Sequence, residues 1–162
     1  MKVKVNKGVL NGAGFRFAIV VSSWNDAITS RLLDGALEAL EKTGVQESNV
    51  EIFRVPGSYE IPLIALKAAK TGKFDALICL GTIIRGETPH FEYVASEVAK
   101  GISQIAIQME LPVIFGIVTA DNIEQAMNRA GIKLGNKGYE AAMTAVEMAN
   151  LCKLIQENSK NS

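Results

Sequence analysis

Short apolar runs alternate along the chain with longer stretches in which apolar residues recur every third or fourth position. The short runs predict four buried β-strands, at 15–22, 50–55, 75–80 and 112–119. The longer stretches predict helices at 26–42, 58–70, 89–109 and 122–129, and a last helix that ends near 156. Because strands and helices alternate, the pattern predicts an α/β fold with a parallel sheet and helices on both of its faces.

The ends of the chain are less clearly patterned than its middle. Val3 to Val5 looks strand-like, but three glycines separate it from the first buried run. We expect this segment, within about residues 1–10, to add to this sheet or to the sheet of a neighbouring subunit. Residues 158–162 are expected to fray. The whole chain, 1–162, is predicted to form a single domain.

Charge and short motifs exclude several classes of function. Seventeen basic residues balance seventeen acidic ones, which leaves no polybasic surface for nucleic acid or an anionic membrane. The apolar runs are too short to span a bilayer. No HExxH, CxxC or GxxxxGKS/T motif occurs, so we expect neither a bound metal nor a Walker-type nucleotide site. Two isolated cysteines and the lack of a signal-peptide core indicate a cytoplasmic protein.

The segment from Gly81 to His90 carries the most informative chemistry. A buried-looking strand ends at Leu80, and Pro89 opens the next helix. Open α/β sheets bind ligands at the carboxyl ends of their strands, and helix N-termini favour anions, so the only histidine lies beside a candidate phosphate site. The helix dipole disfavours a positive charge there, so we expect an imidazole that can accept a proton. An ordinary solvated helix start with Thr88 as N-cap is the alternative.

Two further strand ends carry candidate ligand contacts. Trp24 can be a partly buried core residue or a stacking platform for a planar ligand, with Asn25 supplying hydrogen bonds. After the second strand, Gly57 permits close backbone approach. Ser58 is a favourable N-cap, and Glu60 falls in the first helical turn. From the residues alone, helix capping is the preferred interpretation of both side chains.

The last third of the chain offers weaker candidates. Phe115 is consistent with plain sheet core. Arg129, Lys133 and Lys137 lie in or beside a glycine-rich linker, where glycines permit close contact with a ligand or a subunit. A solvated basic face is the alternative reading of these three side chains.

Five motifs resemble the lumazine synthase family and occur in the family's order. They are VPGSYEIP at 55–62, GTIIRGETPH at 81–90, FGIVT at 115–119, EQAMNRAG at 124–131 and GNKG at 135–138. The resemblance covers essentially the whole chain. Several long motifs in the right order are far more specific than a single glycine pattern.

The resemblance implies a flavodoxin-like α/β/α sandwich with a four-stranded parallel sheet. It implies a transferase of riboflavin biosynthesis that condenses 5-amino-6-(ribitylamino)uracil with 3,4-dihydroxy-2-butanone 4-phosphate. The products are 6,7-dimethyl-8-ribityllumazine, phosphate and water, and no cofactor is used. Family members form homopentamers, which in many bacteria close into sixty-subunit icosahedral shells with riboflavin synthase as a candidate partner. The linker 131–138 carries no insertion, which favours the shell-forming type.

The resemblance also assigns substrates to individual positions. The pyrimidine and the ribityl chain are assigned to Trp24, Asn25, Gly57, Ser58, Glu60, Thr82, Ile83, Ile84, Lys137 and, from a neighbouring subunit, Phe115. The phosphate is assigned to Gly86, Glu87, Thr88 and, from a neighbouring subunit, Arg129. His90 is implied to shuttle protons.

Position 24 departs from the commonest family pattern, in which phenylalanine follows an arginine. Here Trp24 follows Ser23, and the indole enlarges the stacking face. A flavin- or lumazine-binding protein without turnover is therefore one alternative function. A shell-forming scaffold is another, but His90, Arg129 and the phosphate loop argue against it because assembly requires none of them.

Overall fold

Four strands and five α-helices alternate in the computed structural model, which describes residues 1–133 and 135–162. The strands are β1 Phe17–Ser22, β2 Val50–Val55, β3 Ala76–Ile84 and β4 Val113–Ala120. The α-helices are α1 Asp26–Lys42, α2 Ile61–Lys70, α3 His90–Met109, α4 Ile123–Arg129 and α5 Lys137–Lys160. Two short 3-10 helices, Glu47–Asn49 and Ser58–Glu60, precede β2 and α2.

The four strands form one parallel sheet in the order β2-β1-β3-β4. One face packs against α1, α4 and α5, and the other against α2 and α3. This three-layer α/β/α arrangement confirms the predicted fold class, and the strand order is that of the flavodoxin-like folds. None of the helices within the described ranges is both long and apolar enough to cross a membrane.

The two central strands explain why the apolar runs are nearly continuous. β1 is buried at all six positions, because helices cover both faces of the sheet. Alternate residues of β1 and β3 therefore enter two separate hydrophobic clusters, one on each face. On the first face α5 crosses α1 at very short range, and a Cβ at Gly138 would collide with the backbone of Leu32. Only glycine allows that crossing.

Several element boundaries differ from the sequence prediction by one to four residues, among them the start of α2 at Ile61 after the 3-10 helix Ser58–Glu60. β3 continues to Ile84 rather than ending at residue 80, because Ile83 and Ile84 pack into opposite clusters and extend the alternation past Gly81. α3 begins at His90, with Pro89 as the N-cap residue. α5 continues to Lys160, although its end was expected near 156 and residues 158–162 were expected to fray.

The first sixteen residues form no strand within the described chain. Val3 and Val5 are exposed, so this segment does not add to the chain's own sheet. Gly8 is buried against α5, where a Cβ would collide with the carbonyl group of Glu147. Pairing of the segment with a neighbouring subunit's sheet stays a prediction. The linker before α5 includes Leu134, which lies outside the described residues.

Candidate functional site

The carboxyl edge of the sheet contains a step between its strands. β1 pairs with β3 only as far as Val21 opposite Leu80, whereas β3 pairs with β4 as far as Ile84 opposite Ala120. The last four residues of β3, 81–84, thus have a β4 partner on one side and the loops after β1 and β2 on the other. We call these four residues the β3 step. Its position is where open α/β sheets bind their ligands.

The loops after β1 and β2 are tied together beside this step. The backbone N–H of Ser23 donates to the carbonyl of Val55 at 2.7 Å, and that of Trp24 donates to Pro56 at 2.9 Å. Trp24 is 64% exposed, and its indole lies over Gly57, where a Cβ would be 2.6 Å from Cε3 and 2.7 Å from Cζ3. The close approach needs glycine at position 57. An exposed, positioned indole favours the stacking interpretation over the core one.

Asn25 takes the left-handed conformation, with φ 60°, at the N-cap of α1. Its backbone carbonyl accepts hydrogen bonds from the N–H groups of Ile28 and Thr29, at 2.9 and 3.1 Å. The Asn25 side chain is exposed and makes no capping hydrogen bond. Asparagine tolerates this backbone conformation better than most residues, and its amide stays available beside Trp24.

Neither Ser58 nor Glu60 makes a side-chain capping hydrogen bond, so the capping interpretation of these two side chains is wrong. Ser58 begins the 3-10 helix, and Glu60 occupies the N-cap position of α2 without a capping bond from its carboxylate. The Ser58 hydroxyl donates to the carbonyl of Thr82 in the β3 step, at 3.2 Å. Glu60 Oε2 is buried and has no hydrogen-bond partner among the described residues. It lies near Gly57, 3.2 Å from where a Cβ would be, and therefore close to the Trp24 ring. A buried acceptor without a partner is costly, which points to a ligand hydroxyl as its natural partner.

Ser22 and Gly81 also belong to this part of the structure, although neither was predicted from the sequence to be a site residue. Ser22 is 1% exposed, and its hydroxyl has no hydrogen-bond partner among the described residues. A Cβ at Gly81 would lie 2.5 Å from Ser58 Oγ and 3.0 Å from Ser22 Oγ. Two hydroxyl groups thus converge on the first residue of the β3 step. The feature of the sequence that could have indicated this role for Ser22 is its position as the one polar residue, at the carboxyl end, of the apolar strand β1.

The other residues of the β3 step present backbone rather than side chains. The Thr82 hydroxyl donates to the carbonyl of Val118 at 3.2 Å, which ties the step to β4. Ile83 is buried between the sheet and the α2–α3 layer, and Ile84 is partly buried against the opposite cluster. Any direct contact of Ile83 with a polar ligand would therefore use its backbone.

The loop between β3 and α3 is exposed throughout, from Arg85 to His90. Thr88 is not the N-cap of α3, because Pro89 occupies that position and no side chain caps the helix. The N–H groups in the first turn of a helix lack intrahelical acceptors and can bind an anion. Gly86, Glu87 and Thr88 lie directly before this helix start, so the geometry suits a phosphate beside His90.

Arg85 anchors this loop to the end of β4. Its guanidinium donates to Asp121 at 3.0 Å and to Glu92 at 3.5 Å, and it stacks 4.6 Å from the centre of the Phe91 ring. The hydrogen bond with Asp121 is the main cause that raises the pKa of Arg85, and Glu92 adds to it. The backbone N–H of Arg85 also donates to Ala120 at 2.9 Å.

Three of the predicted site residues belong to β4, α4 and α5 rather than to the loops around Trp24. Phe115 is 37% exposed on the edge strand β4, level with Cys79 and below the β3 step. Arg129 is exposed at the end of α4, and Lys137 is half-buried at the start of α5. Within the described ranges, no hydrogen bond or salt bridge links these three side chains to the residues around Trp24.

The chain matches the family model described as 6,7-dimethyl-8-ribityllumazine synthase over residues 14–153. A solved structure with similarity to the chain is a de novo designed Rossmann fold protein. The similarity covers 74% of this chain and 99% of the designed chain, with 18% sequence identity and a TM-score of 0.37. At that level it carries no argument about fold or function.

Proposed function

The chain belongs to the 6,7-dimethyl-8-ribityllumazine synthase family, and from that premise we propose the reaction that it catalyses. It condenses 5-amino-6-(ribitylamino)uracil with 3,4-dihydroxy-2-butanone 4-phosphate to give 6,7-dimethyl-8-ribityllumazine, phosphate and water. Family membership by itself implies riboflavin biosynthesis and small-molecule substrates. The assignment of each substrate to named residues is part of the proposal.

The buried, unpartnered Oε2 atom of Glu60 beside the exposed Trp24 indole is the observation that carries the proposal. A uracil derivative with a polyhydroxylated chain has a flat ring for the indole and hydroxyl groups for the carboxylate. In this proposal, Asn25, Gly57 and Ser58 border the same substrate, and the backbone of the β3 step supplies further donors and acceptors to it.

The phosphorylated ketone binds, in this proposal, along Gly86, Glu87 and Thr88 with its reactive carbons near His90. The amino group on the uracil ring attacks the ketone carbonyl, and water leaves as an imine forms. Loss of the proton on the adjacent carbinol carbon then expels phosphate, which leaves with the electron pair of its C–O bond. The resulting enol tautomerises to a ketone, and the ribityl-bearing nitrogen attacks that carbonyl and closes the ring with loss of a second water. The imidazole of His90 accepts and returns protons in these steps.

Positioning is expected to supply most of the acceleration, because both substrates are intrinsically reactive. Well-oriented intramolecular reactions gain up to about 7–11 kcal/mol relative to free reactants. A single general acid or base contributes about 10²–10⁴-fold. His90 therefore assists a reaction that the pocket has already made efficient.

Completion of the site by a second subunit is also part of the proposal. Within the described part of the chain, the side chains of Phe115, Arg129 and Lys137 make no hydrogen bond or salt bridge with the residues around Trp24. In a homopentamer, Phe115 of one subunit closes the ring pocket of the next, and Arg129 pairs with its phosphate through a guanidinium fork. The family implies oligomeric assembly. We propose the pentamer and favour its sixty-subunit shell in the cytoplasm, with riboflavin synthase as a candidate partner.

The test is a turnover assay on the purified protein with its assembly state measured in parallel. Mixing the two substrates should produce lumazine fluorescence and one phosphate per lumazine, at a rate well above that of the substrates alone. Light scattering on the same sample measures the number of subunits. Absence of any acceleration by an assembled oligomer would contradict the proposed reaction.

A flavin- or lumazine-binding protein without turnover is the second candidate, and the exposed Trp24 favours it. Such a protein would quench its own tryptophan fluorescence on adding riboflavin or lumazine yet release no phosphate from the mixed substrates. The chain has a single tryptophan, so that quenching would report position 24 alone.

A further inference from the structure

Arg85 joins three parts of the chain around the loop that leads to His90. Its backbone N–H and its guanidinium contact Ala120 and Asp121 at the end of β4. The same guanidinium contacts Glu92 and covers the ring of Phe91, both in the first turn of α3. One residue at the start of the loop thereby connects it both to the end of β4 and to the first turn of α3.

Burial cannot hold this loop in place, because residues 85–90 are all exposed. A Cβ at Gly86 would meet no atom within 4 Å, so the backbone there is also open on the side-chain face. Phe91, in contrast, packs against the hydrophobic cluster between the sheet and α2–α3. Arg85 stacks on that ring and so links the exposed loop to a fixed point of the core.

We propose that Arg85 is a positioning residue that holds the phosphate loop and His90 in their reactive placement, an inference that rests on the proposed function of this site. Each contact alone is weak, since Arg85, Glu92 and Asp121 have side chains that are 48%, 69% and 65% exposed. Together these contacts let one planar guanidinium hydrogen-bond two carboxylates and stack on one aromatic ring. Lysine cannot reproduce that combination.

The experiment compares Arg85→Ala and Arg85→Lys with Lys42→Ala as a matched control. Lys42 also forms an ion pair, with Glu38 at 2.6 Å, and also lies over an aromatic ring, that of Tyr139 at 5.6 Å. It does so at the far end of α1, outside the proposed site. Asp121→Asn is a second, milder variant, which removes the negative charge that accepts the hydrogen bond from Arg85.

Steady-state kinetics should separate positioning from general stability. We expect Arg85→Ala to lower kcat and to raise KM for the phosphorylated ketone, with a combined loss of about 10- to 100-fold. KM for the uracil substrate should change by less than about twofold, because Trp24 and Glu60 lie on other loops. Arg85→Lys should recover only part of the loss. Asp121→Asn should also lower kcat and raise KM for the phosphorylated ketone, as Arg85→Ala does.

The single histidine allows a second readout that needs no turnover. Diethylpyrocarbonate modifies imidazoles with an absorbance change near 240 nm, so its rate on the intact oligomer reports His90 only. We expect Arg85→Ala and Asp121→Asn to change this rate by about threefold or more, and Lys42→Ala to leave it as in the unaltered protein.

The proposal fails if Arg85→Ala matches Lys42→Ala in both kinetics and His90 modification. It also fails if Arg85→Ala lowers only the melting temperature, since Arg85 would then be a stability residue. Failure of the proposed function looks different: the unaltered protein would make no lumazine. The His90 modification rates would still decide whether Arg85 positions the loop.

Discussion

The indole ring of Trp24 lies directly over Gly57, so close that a Cβ there would be 2.6 Å from Cε3. This contact places the ring against the loop after β2, and Trp24 as a whole remains 64% exposed. Backbone hydrogen bonds from Ser23 and Trp24 to that loop hold the arrangement. The aromatic surface is therefore positioned before any ligand arrives, which reduces the ordering cost of binding.

Gly57→Ala should weaken binding of the uracil substrate. The added methyl group cannot fit beneath the indole, so the ring must shift from its position. Stacking of a base on an aromatic side chain is worth about 1–3 kcal/mol, so KM for this substrate should rise by about 5- to 100-fold. The phosphorylated ketone should be affected less, and steady-state kinetics with each substrate varied in turn will show the difference.

A double-mutant cycle provides the control for that substitution. Trp24→Phe removes part of the ring that the new methyl group would meet. In this background, Gly57→Ala should cause a smaller increase in KM than it does beside tryptophan. Additive effects would mean that Gly57 acts independently of the indole.

Glu60→Gln should separate binding from stability. The buried Oε2 has no partner, so removal of its charge should leave the melting temperature of the ligand-free protein unchanged or higher. Hydrogen bonds to charged groups contribute about 1.5–3 kcal/mol, so KM for the ribityl substrate should rise by about 10- to 100-fold. Glu51→Gln, at an exposed position of β2, is the matched control. A Glu60→Gln protein with unchanged KM would exclude the carboxylate as a substrate ligand.

His90→Ala should slow the enzyme without abolishing turnover. Removal of one general acid or base costs at most about 10²–10⁴-fold, whereas substrate positioning is left to the remaining residues. Single-turnover measurements should show a rate still above that of the mixed substrates without protein. If the His90→Ala protein still assembles but no longer accelerates the reaction, then proton transfer by His90 contributes more to the rate than substrate positioning does.

Cys79 should be unreactive in the folded protein. The thiol is fully buried, and burial raises its pKa from 9.0 to about 12. Ellman's reagent at pH 8 should therefore find at most one thiol per native chain, the half-buried Cys152, and both thiols after denaturation. Two fast-reacting thiols in the native protein would contradict this burial.

The same shift predicts how stability depends on alkaline pH. The unfolded thiol ionises near pH 9, whereas the folded thiol stays protonated until near pH 12. The folded state thus holds the extra proton between these values, and stability from this group is lost as pH rises through that window. The melting temperature of Cys79→Ala should fall less steeply above pH 9 than that of the unaltered protein, whatever their difference at pH 7.

Mixed oligomers should reveal whether sites are shared between subunits. His90→Ala and Arg129→Ala chains, dissociated and reassembled together, should form some interfaces with both residues intact. Activity should then exceed the mean of the two separate variants. A mixture of the unaltered protein with His90→Ala provides the reference for reassembly. Activity equal to the mean would place His90 and Arg129 in a site made by one chain.

Local patterns predicted the regular elements well where burial follows a simple period. α1 spans 26–42 as expected, because Ile28, Leu32 and Leu40 recur on one face and Gly44 takes φ 90° just after the helix. The end of β3 was mistaken because Gly81 looked like a break. In the structure Gly81 leaves space for Ser22 and Ser58, and the strand continues through it.

Hydrophobic period and contiguous motifs are local properties of the chain, so they were enough to predict the alternating strands and helices, the three layers and the family. The hydrogen bonding of Ser58 and Glu60, by contrast, became visible only in the folded chain. The partner of Ser58 is a carbonyl 24 residues away, and Glu60 Oε2 has none among the described residues. Hydrogen-bond satisfaction depends on which distant loops meet at the sheet edge, and no local pattern contains that information.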